Sequence, residues 1–429
     1  MPALFPSRGF RRTRERASGL LFAFGVDDLS TTLTTGQTLA LTRTTGRTVY
    51  DATGRVATLA HSQWPWSMVY NSTDAVWEPT LDVRPAATNL CLQSENFGAT
   101  WAAISTPTRT AAALACGDLT LDLLDDTSAA ALQGYSQVVA FTANAVKAVS
   151  VFIKQGSSTS SVVRLRDTTG AANRLLATIT WSVGVPSVAM TTGTYVGAVA
   201  CANGVYRLSF QTTSVTAANT NQLEVYPATT SALAVANTGS LYVGGVQCEN
   251  TTAPSAYVKT TTGTVTTNLD LVSATVAVPI ADFSVYVRLA RPTWAGLTTG
   301  WAGNAAIFGQ AATASNSVWQ IYVDPINQLL GASLSTGGSG IGSSLAIPAT
   351  PSIDLCANFR NLTTGPQTRI DVGGGFTSYG SVGGVVSAWN STTTYLGSDV
   401  AGLALGVGIR RAIVAPGLRT LAEMRGLNV

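Results

Sequence analysis

The chain has 429 residues, room for two or three domains and a sizeable core. Only 11% of them are charged, against about 25% in an ordinary soluble domain, with Thr, Ala, Gly, Ser and Val making up the difference. That balance excludes a disordered chain, which needs high charge and few apolar residues, and predicts a strand-rich subunit whose surface is largely covered by neighbours.

The net charge is +3, and it sits at one end. Residues 1–16 carry Arg8, Arg11, Arg12, Arg14 and Arg16 against Glu15, a net +4, so the remainder sums to −1. The five arginines are candidates for docking on an acidic neighbouring subunit, because a guanidinium binds carboxylates in bidentate fashion. Nucleic acid is a weak expectation, since no basic face backs the arm. The apolar run GLLFAFGV (19–26) is too short for a membrane span and leads into Asp27-Asp28 without a small-x-small cleavage site. Residues 17–82 are expected to form an anchoring segment. It contains Trp64, Trp66 and Trp77, read as packing or subunit-contact residues, and the chain's single histidine, His61, read as packed beside them.

From residue 83 onward, period-2 alternation recurs. VYRLSFQ sets Tyr206, Leu208 and Phe210 opposite Arg207, Ser209 and Gln211, and FSVYVRL and WQIYVD alternate likewise. Turn signals such as Asn203-Gly204 separate the runs. Regular strands with regular turns predict an all-β chain: the arm and anchoring segment, then two jelly-roll or β-sandwich modules at 83–260 and 275–429. Between them the Thr/Gly-rich KTTTGTVTTN suggests a linker, set at 261–274. Very little helix is expected; the one strong candidate is PGLRTLAEMRGL (416–427), with Leu418, Leu421 and Met424 on one face.

Signals for chemistry are thin. A triad would have to be built on His61. Acidic residues cluster in GDLTLDLLDD (Asp118, Asp122, Asp125, Asp126), which offers calcium oxygens if it is a loop, yet no paired-carboxylate strand of glycosidase type appears. The chain has no phosphate-binding glycine loop ending in Lys-Ser/Thr. The five cysteines lack metal-ligand spacing, and buried thiols are expected. No cofactor is implied, a structural calcium aside, and no catalytic residue is assigned. Sugar recognition pairs an aromatic platform with polar groups, and Trp294 and Trp301, flanking AGLTTG, are the candidates; Trp181 and Trp319 lie on strand patterns and are assigned to the core.

LALTRTTGRTVYDATGRVATLA (39–60), the Trp-rich WPWSMVY and RPAATNLCLQSENFGATW (84–101) together resemble an arrangement found in bacteriophage virion proteins. The matching positions are Thr42, Arg43, Tyr50, Gly54, Arg84, Thr88, Asn89, Leu90, Ser94, Glu95, Phe97 and Trp101. The stretches VSVFIKQG, NGVYRLSF and LYVGGVQCE are similar to a carbohydrate-binding-type jelly roll, and the last 150 or so residues to a concanavalin A or laminin-G-like sandwich. The resemblance implies a virion structural protein made in the host cytoplasm, a tail fibre or receptor-binding component that contacts host-surface glycans. A head decoration protein and a virion-associated glycan hydrolase are its rivals. It further implies other virion proteins as partners and a homo-oligomer, with a trimer as the guess for a fibre. In a jelly roll the first and last strands commonly run side by side. That predicts Leu90-Cys91-Leu92 as the opening strand against VGGVQCE, with Cys91 near Cys248, and gives Gln93, Glu95, Gln247 and Glu249 hydrogen-bonding rather than catalytic duties.

Overall fold

The computed structural model describes residues 22–25, 39–71, 76–84, 86–230, 233, 235–268, 270–276, 278, 281–290, 305–310, 318–324, 329–336, 339–346, 352–360, 362, 364–373, 380–381, 386, 393–396 and 407–427. The chain is nearly all β and forms sandwich modules.

The alternating runs after residue 100 pair into two six-stranded antiparallel sheets. One runs in the order Thr194–Ala200, Tyr206–Gln211, Ala148–Gln155, Gly239–Glu249, Leu119–Asp126 and Thr108–Cys116. Its partner runs Val185–Thr192, Ala172–Ser182, Ser160–Asp167, Asn221–Tyr226, Gly134–Val139 and Ala102–Ile104. The inward positions of both, among them Val151, Ile153, Val163, Leu165, Leu208, Phe210, Leu223 and Val243, form one buried cluster. LTLDLLDD is therefore a strand, not a calcium loop, because Leu119, Leu121 and Leu124 bury their side chains.

The second sandwich is not confined to the C-terminal part of the chain. In one sheet, Phe283–Ala290 lies between Ser352–Arg360 and Val407–Pro416; the latter pairs onward with Val76–Val83, which pairs with Trp66–Asn71. Phe22–Gly25, from the apolar run near the start, also pairs with Val407–Pro416. In the facing sheet, Ala40–Thr42 pairs with Leu271–Thr275, followed by Thr393–Leu396, Ala305–Gln310, Val318–Asp324, Leu329–Thr336 and Ser339–Ala346. Leu39, Trp66, Leu81 and Val83 share a core with Phe283, Phe308, Trp319 and Phe359. Trp319 packs edge-on against all three phenylalanines, with ring centroids 5.3–5.9 Å away.

Two expectations are thereby corrected. Residues 17–82 do not stand apart as an anchoring segment: their strands Phe22–Gly25, Ala40–Thr42, Trp66–Asn71 and Val76–Val83 belong to the second sandwich, whose core includes Leu39, Trp66 and Leu81. Nor is 261–274 a plain linker, since Val265–Thr267 pairs with Ala87–Asn89 and Leu271–Thr275 joins the sandwich sheet. The first sandwich, expected as a jelly roll and given that label below, is an insertion: the chain leaves the second sandwich at Arg84 and re-enters it at Asp270.

The hairpin Arg47–Tyr50/Val56–Leu59 fastens the two modules. Val56 is buried with Cys116, Leu119, Leu121, Phe152 and Tyr257 of the jelly roll, and bridges Gly117. Its carbonyl accepts from Asp118 N at 2.7 Å, and the Asp118 carboxylate accepts from Thr58 N at 2.7 Å. Gly117 makes this approach feasible: its φ is +71°, and a Cβ there would sit 2.1 Å from the Val56 carbonyl oxygen. The space between Thr48, Tyr50, Val56, Phe152 and Tyr257 has no room for a water molecule.

The C-terminal helix is shorter than expected, Leu421–Gly426, with Thr420 and Glu423 forming a reciprocal capping box. Leu421 and Met424 pack on Tyr286, Cys356 and Ile413, while Leu418 precedes the helix and is exposed.

Candidate functional site

The polar stretch Gln93-Ser94-Glu95-Asn96 follows not a strand but an irregular turn. The opening strand is Ala87–Asn89, and Leu90–Leu92 lies outside any ladder. What replaces the ladder is the side chain of Asn89, which is fully buried. Its Oδ1 accepts from Cys91 N at 3.0 Å and from Cys248 N at 3.2 Å. Its Nδ2 donates to the carbonyls of Val246 at 3.0 Å and Val258 at 2.8 Å. One amide thus joins the first turn, the last strand and the segment returning to the sandwich. Gln137 acts similarly on Leu92, accepting from its N–H at 2.7 Å and donating to its carbonyl at 2.9 Å.

The two echoing stretches, QSEN and QCEN, grip that same return segment, Ser255–Thr261. Gln247 donates to the Ala256 carbonyl at 3.0 Å and accepts from Val258 N at 2.7 Å. Glu249 accepts from Ser255 N at 2.9 Å and from its hydroxyl at 2.5 Å; burial pushes the Glu249 carboxyl up despite these bonds. On the opposite side Ser94 Oγ accepts from Thr260 N at 3.0 Å and meets Tyr257 OH at 2.7 Å. Glu95 accepts from Tyr257 OH at 2.8 Å, Thr120 Oγ1 at 2.8 Å and Lys259 Nζ at 2.7 Å. Burial, and then the Glu95 charge, raise the Tyr257 phenol well above its ordinary range. Gln93 takes part through its backbone, donating to the Thr261 carbonyl at 2.7 Å and accepting from Trp101 Nε1 at 3.3 Å. Asp122, from the acidic cluster, accepts from Arg109 Nε, Phe97 N and Ala112 N, and the Phe97 ring packs tilted against Trp101 with centroids 4.4 Å apart. Acceptors occupied by fixed internal donors hold a fold together; they are not poised to take a substrate proton.

A second cluster closes the neck where the chain crosses between modules. Arg84 Nε donates to both oxygens of Asp82 at 2.7 Å, and Arg47 Nη2 lies 3.2 Å from Asp82. Arg47 also pairs with Asp270, which takes Arg43 Nη1 at 3.2 Å. The crossing strands touch directly as well: Asp270 N donates to the Arg84 carbonyl at 3.1 Å, and Arg84 N to Asp270 Oδ2 at 3.2 Å. Arg43 Nη2 further ties the carbonyls of Ala60 and Gln63, each at 2.7 Å. Burial pushes the Asp82 carboxyl up, but Arg84 and Arg47 outweigh it and hold it below the usual range. Burial draws Arg47 down to about 9, with Arg84 and Arg43 adding to the effect. Both shifts are downward, which favours the charged form of Asp82 and disfavours that of Arg47; Asp82 governs stability near neutrality, where Arg47 remains protonated.

The arm residues Arg8, Arg11, Arg12, Arg14 and Arg16 lie outside the described residues, as do Trp294 and Trp301. His61 sits exposed in a turn, not packed among aromatics. Trp66 and Trp319 are core, and Trp181, near the end of the second strand of its sheet, is half-buried against the core. Among the described residues no group of three or more His, Cys, Asp and Glu is placed to hold a metal ion, and no helix is long and apolar enough to cross a membrane. Sequence reasoning missed the roles of Arg47, Asp82, Tyr257 and Asp270; it singled out Arg43, Arg84, Asn89 and Ser94 only as motif positions, and gave Glu95 the hydrogen-bonding duty it has here. No protein-family model matches the chain, and no curated protein matches it.

Asn89→Ala leaves two buried N–H groups and two carbonyls without their partner. We expect a loss of about 3 kcal/mol or more in urea unfolding, at roughly 1–3 kcal/mol per orphaned group with partial relaxation; a loss below about 1 kcal/mol would show that Asn89 is not the clasp. At the neck, Asp82→Asn is expected to cost about 3–5 kcal/mol by leaving buried arginines undercompensated. Because the folded Asp82 pKa is depressed, its contribution is complete above the unfolded value of about 4 and falls away below it. The wild-type urea midpoint should therefore drop between pH 5 and about 3 more steeply than that of Asp82→Asn; equal slopes would remove Asp82 as the cause.

Proposed function

We propose that this chain is a structural protein of a bacteriophage particle, of tail-fibre or receptor-binding type, whose β-sandwich modules are presented towards host-surface glycans. The observation that carries the reading is where the virion-like motif residues fall. Arg43, Arg84, Asn89, Ser94, Glu95, Phe97 and Trp101 all belong to the neck or the clasp that mounts one β module on another. A motif spent on mounting a module suits a carrier of binding domains better than an enzyme, whose signature residues surround an open cleft.

A second feature supports an assembly role. From Leu175 to Tyr206 the chain carries no Asp, Glu, Lys, Arg or His, yet this stretch forms the edge strands Val185–Thr192 and Thr194–Ala200 of both jelly-roll sheets. Exposed edges are ordinarily guarded by charge, and interface cores are depleted of it. At the hairpin tip Val183 adopts φ +50° and is fully exposed, beside half-exposed Val185. In this reading those edges face other copies of the chain or neighbouring virion subunits, and the arginine arm docks on the particle.

Gold-labelled antibody against the chain, applied to intact particles, should mark the tail or its fibres in micrographs. Label on the head would replace the receptor-binding reading with the decoration reading, and unlabelled particles that lack the chain would overturn both. Depolymerisation of host polysaccharide by the purified protein would support the hydrolase instead.

A further inference from the structure

Of the five cysteines, three donate to main-chain carbonyls: Cys116 to Ala202 at 3.6 Å, Cys201 to Val199 at 3.6 Å and Cys356 to Arg419 at 3.6 Å. Cys91 and Cys248 differ: both lie fully buried in the same core cluster, and the neighbouring Cys91 thiol together with burial raises the Cys248 thiol well above its ordinary range. The backbone holds them there independently of the sulfurs. A single atom, Asn89 Oδ1, accepts from the amides of both residues, at 3.0 and 3.2 Å, and Leu90 N donates to the Cys248 carbonyl at 2.9 Å. A shared acceptor and this main-chain bond keep the two residues side by side, the arrangement a disulfide needs. Both side chains are fully buried in the jelly-roll core.

We propose that Cys91 and Cys248 are a cross-linking site, two thiols pre-aligned to close a disulfide that fastens the first turn of the jelly roll to its last strand. The proposal does not depend on the virion reading. The oxidant is a small organic disulfide. A Cys91 thiolate attacks one of its sulfurs, forming a mixed disulfide and releasing one thiol; Cys248 loses its proton and attacks Cys91 Sγ, releasing the second thiol. Two protein thiols give up two electrons and two protons, and the oxidant's S–S bond is reduced to two thiols.

Access sets the rate. Residues 90–101 contain no strand, so the stretch carrying Cys91 can open without breaking a ladder, whereas Cys248 sits inside Gly239–Glu249. The neighbouring Cys91 thiol and burial hold the Cys248 thiol well above its ordinary range, so it remains a thiol at neutral pH until opening. The reaction is expected over hours rather than seconds. Because the linked positions enclose almost the whole jelly roll, the bond removes a large share of the freedom of the unfolded chain.

The test has two arms. Folded protein is incubated with 2-hydroxyethyl disulfide, and unfolded protein is refolded from urea in a glutathione redox buffer; remaining thiols are then alkylated under denaturing conditions. Non-reducing peptide mass spectrometry should find Cys91 joined to Cys248, with free thiols falling from five to three. The melting temperature should rise by roughly 5–10 °C, reversibly with dithiothreitol, and Cys248→Ala should show neither change. Separate alkylation of Cys91 and Cys248 in both arms would overturn the proposal, as would their linkage to any other cysteine.

Discussion

The structure depends on carrying a chain twice through one buried point. The polypeptide leaves the sandwich at Arg84 and returns at Asp270, and there two carboxylates meet three guanidiniums, of which only Arg84 keeps some access to water. Charges so placed are costly to bury and costlier to separate, because removing any one leaves the others uncompensated. The neck therefore adds little net attraction but strongly penalises any other arrangement. It fixes which strand of the N-terminal region enters the sandwich and where the inserted module begins.

From that point outward, closure passes to uncharged groups. Asn89 replaces a missing stretch of ladder with four hydrogen bonds, and the two Gln/Glu-bearing stretches hold the return segment from either side. The hairpin around Val49 and Val56 then seals the jelly-roll sheet with a dry contact. Neck, clasp and hairpin are consecutive layers of one joint. The polar residues that look most chemical in the sequence are used up in building it.

Much of the fold was legible because alternation is a local signal. The strands Tyr206–Gln211, Phe283–Ala290 and Val318–Asp324 fall where period-2 patterning puts them. The insertion was not legible, since the pairing of Val76–Val83 with Val407–Pro416 joins residues more than three hundred positions apart and leaves no periodic trace. Thr108–Cys116 escaped notice because its alanines do not alternate with polar residues, and Leu119–Asp126 because its aspartates mimic a calcium loop. At the joint, the motif named the right residues but not their duties. Asn89 reads as an ordinary turn residue until Cys248, Val246 and Val258 are brought around it, and Tyr257 lies in a segment with no pattern.

If the two modules share one joint, neither should bury its core without the other. Scanning calorimetry of the intact chain tests this most directly. A single unfolding transition with equal calorimetric and van't Hoff enthalpies is the predicted result. Two resolved transitions, one for the jelly roll and one for the sandwich, would contradict the account.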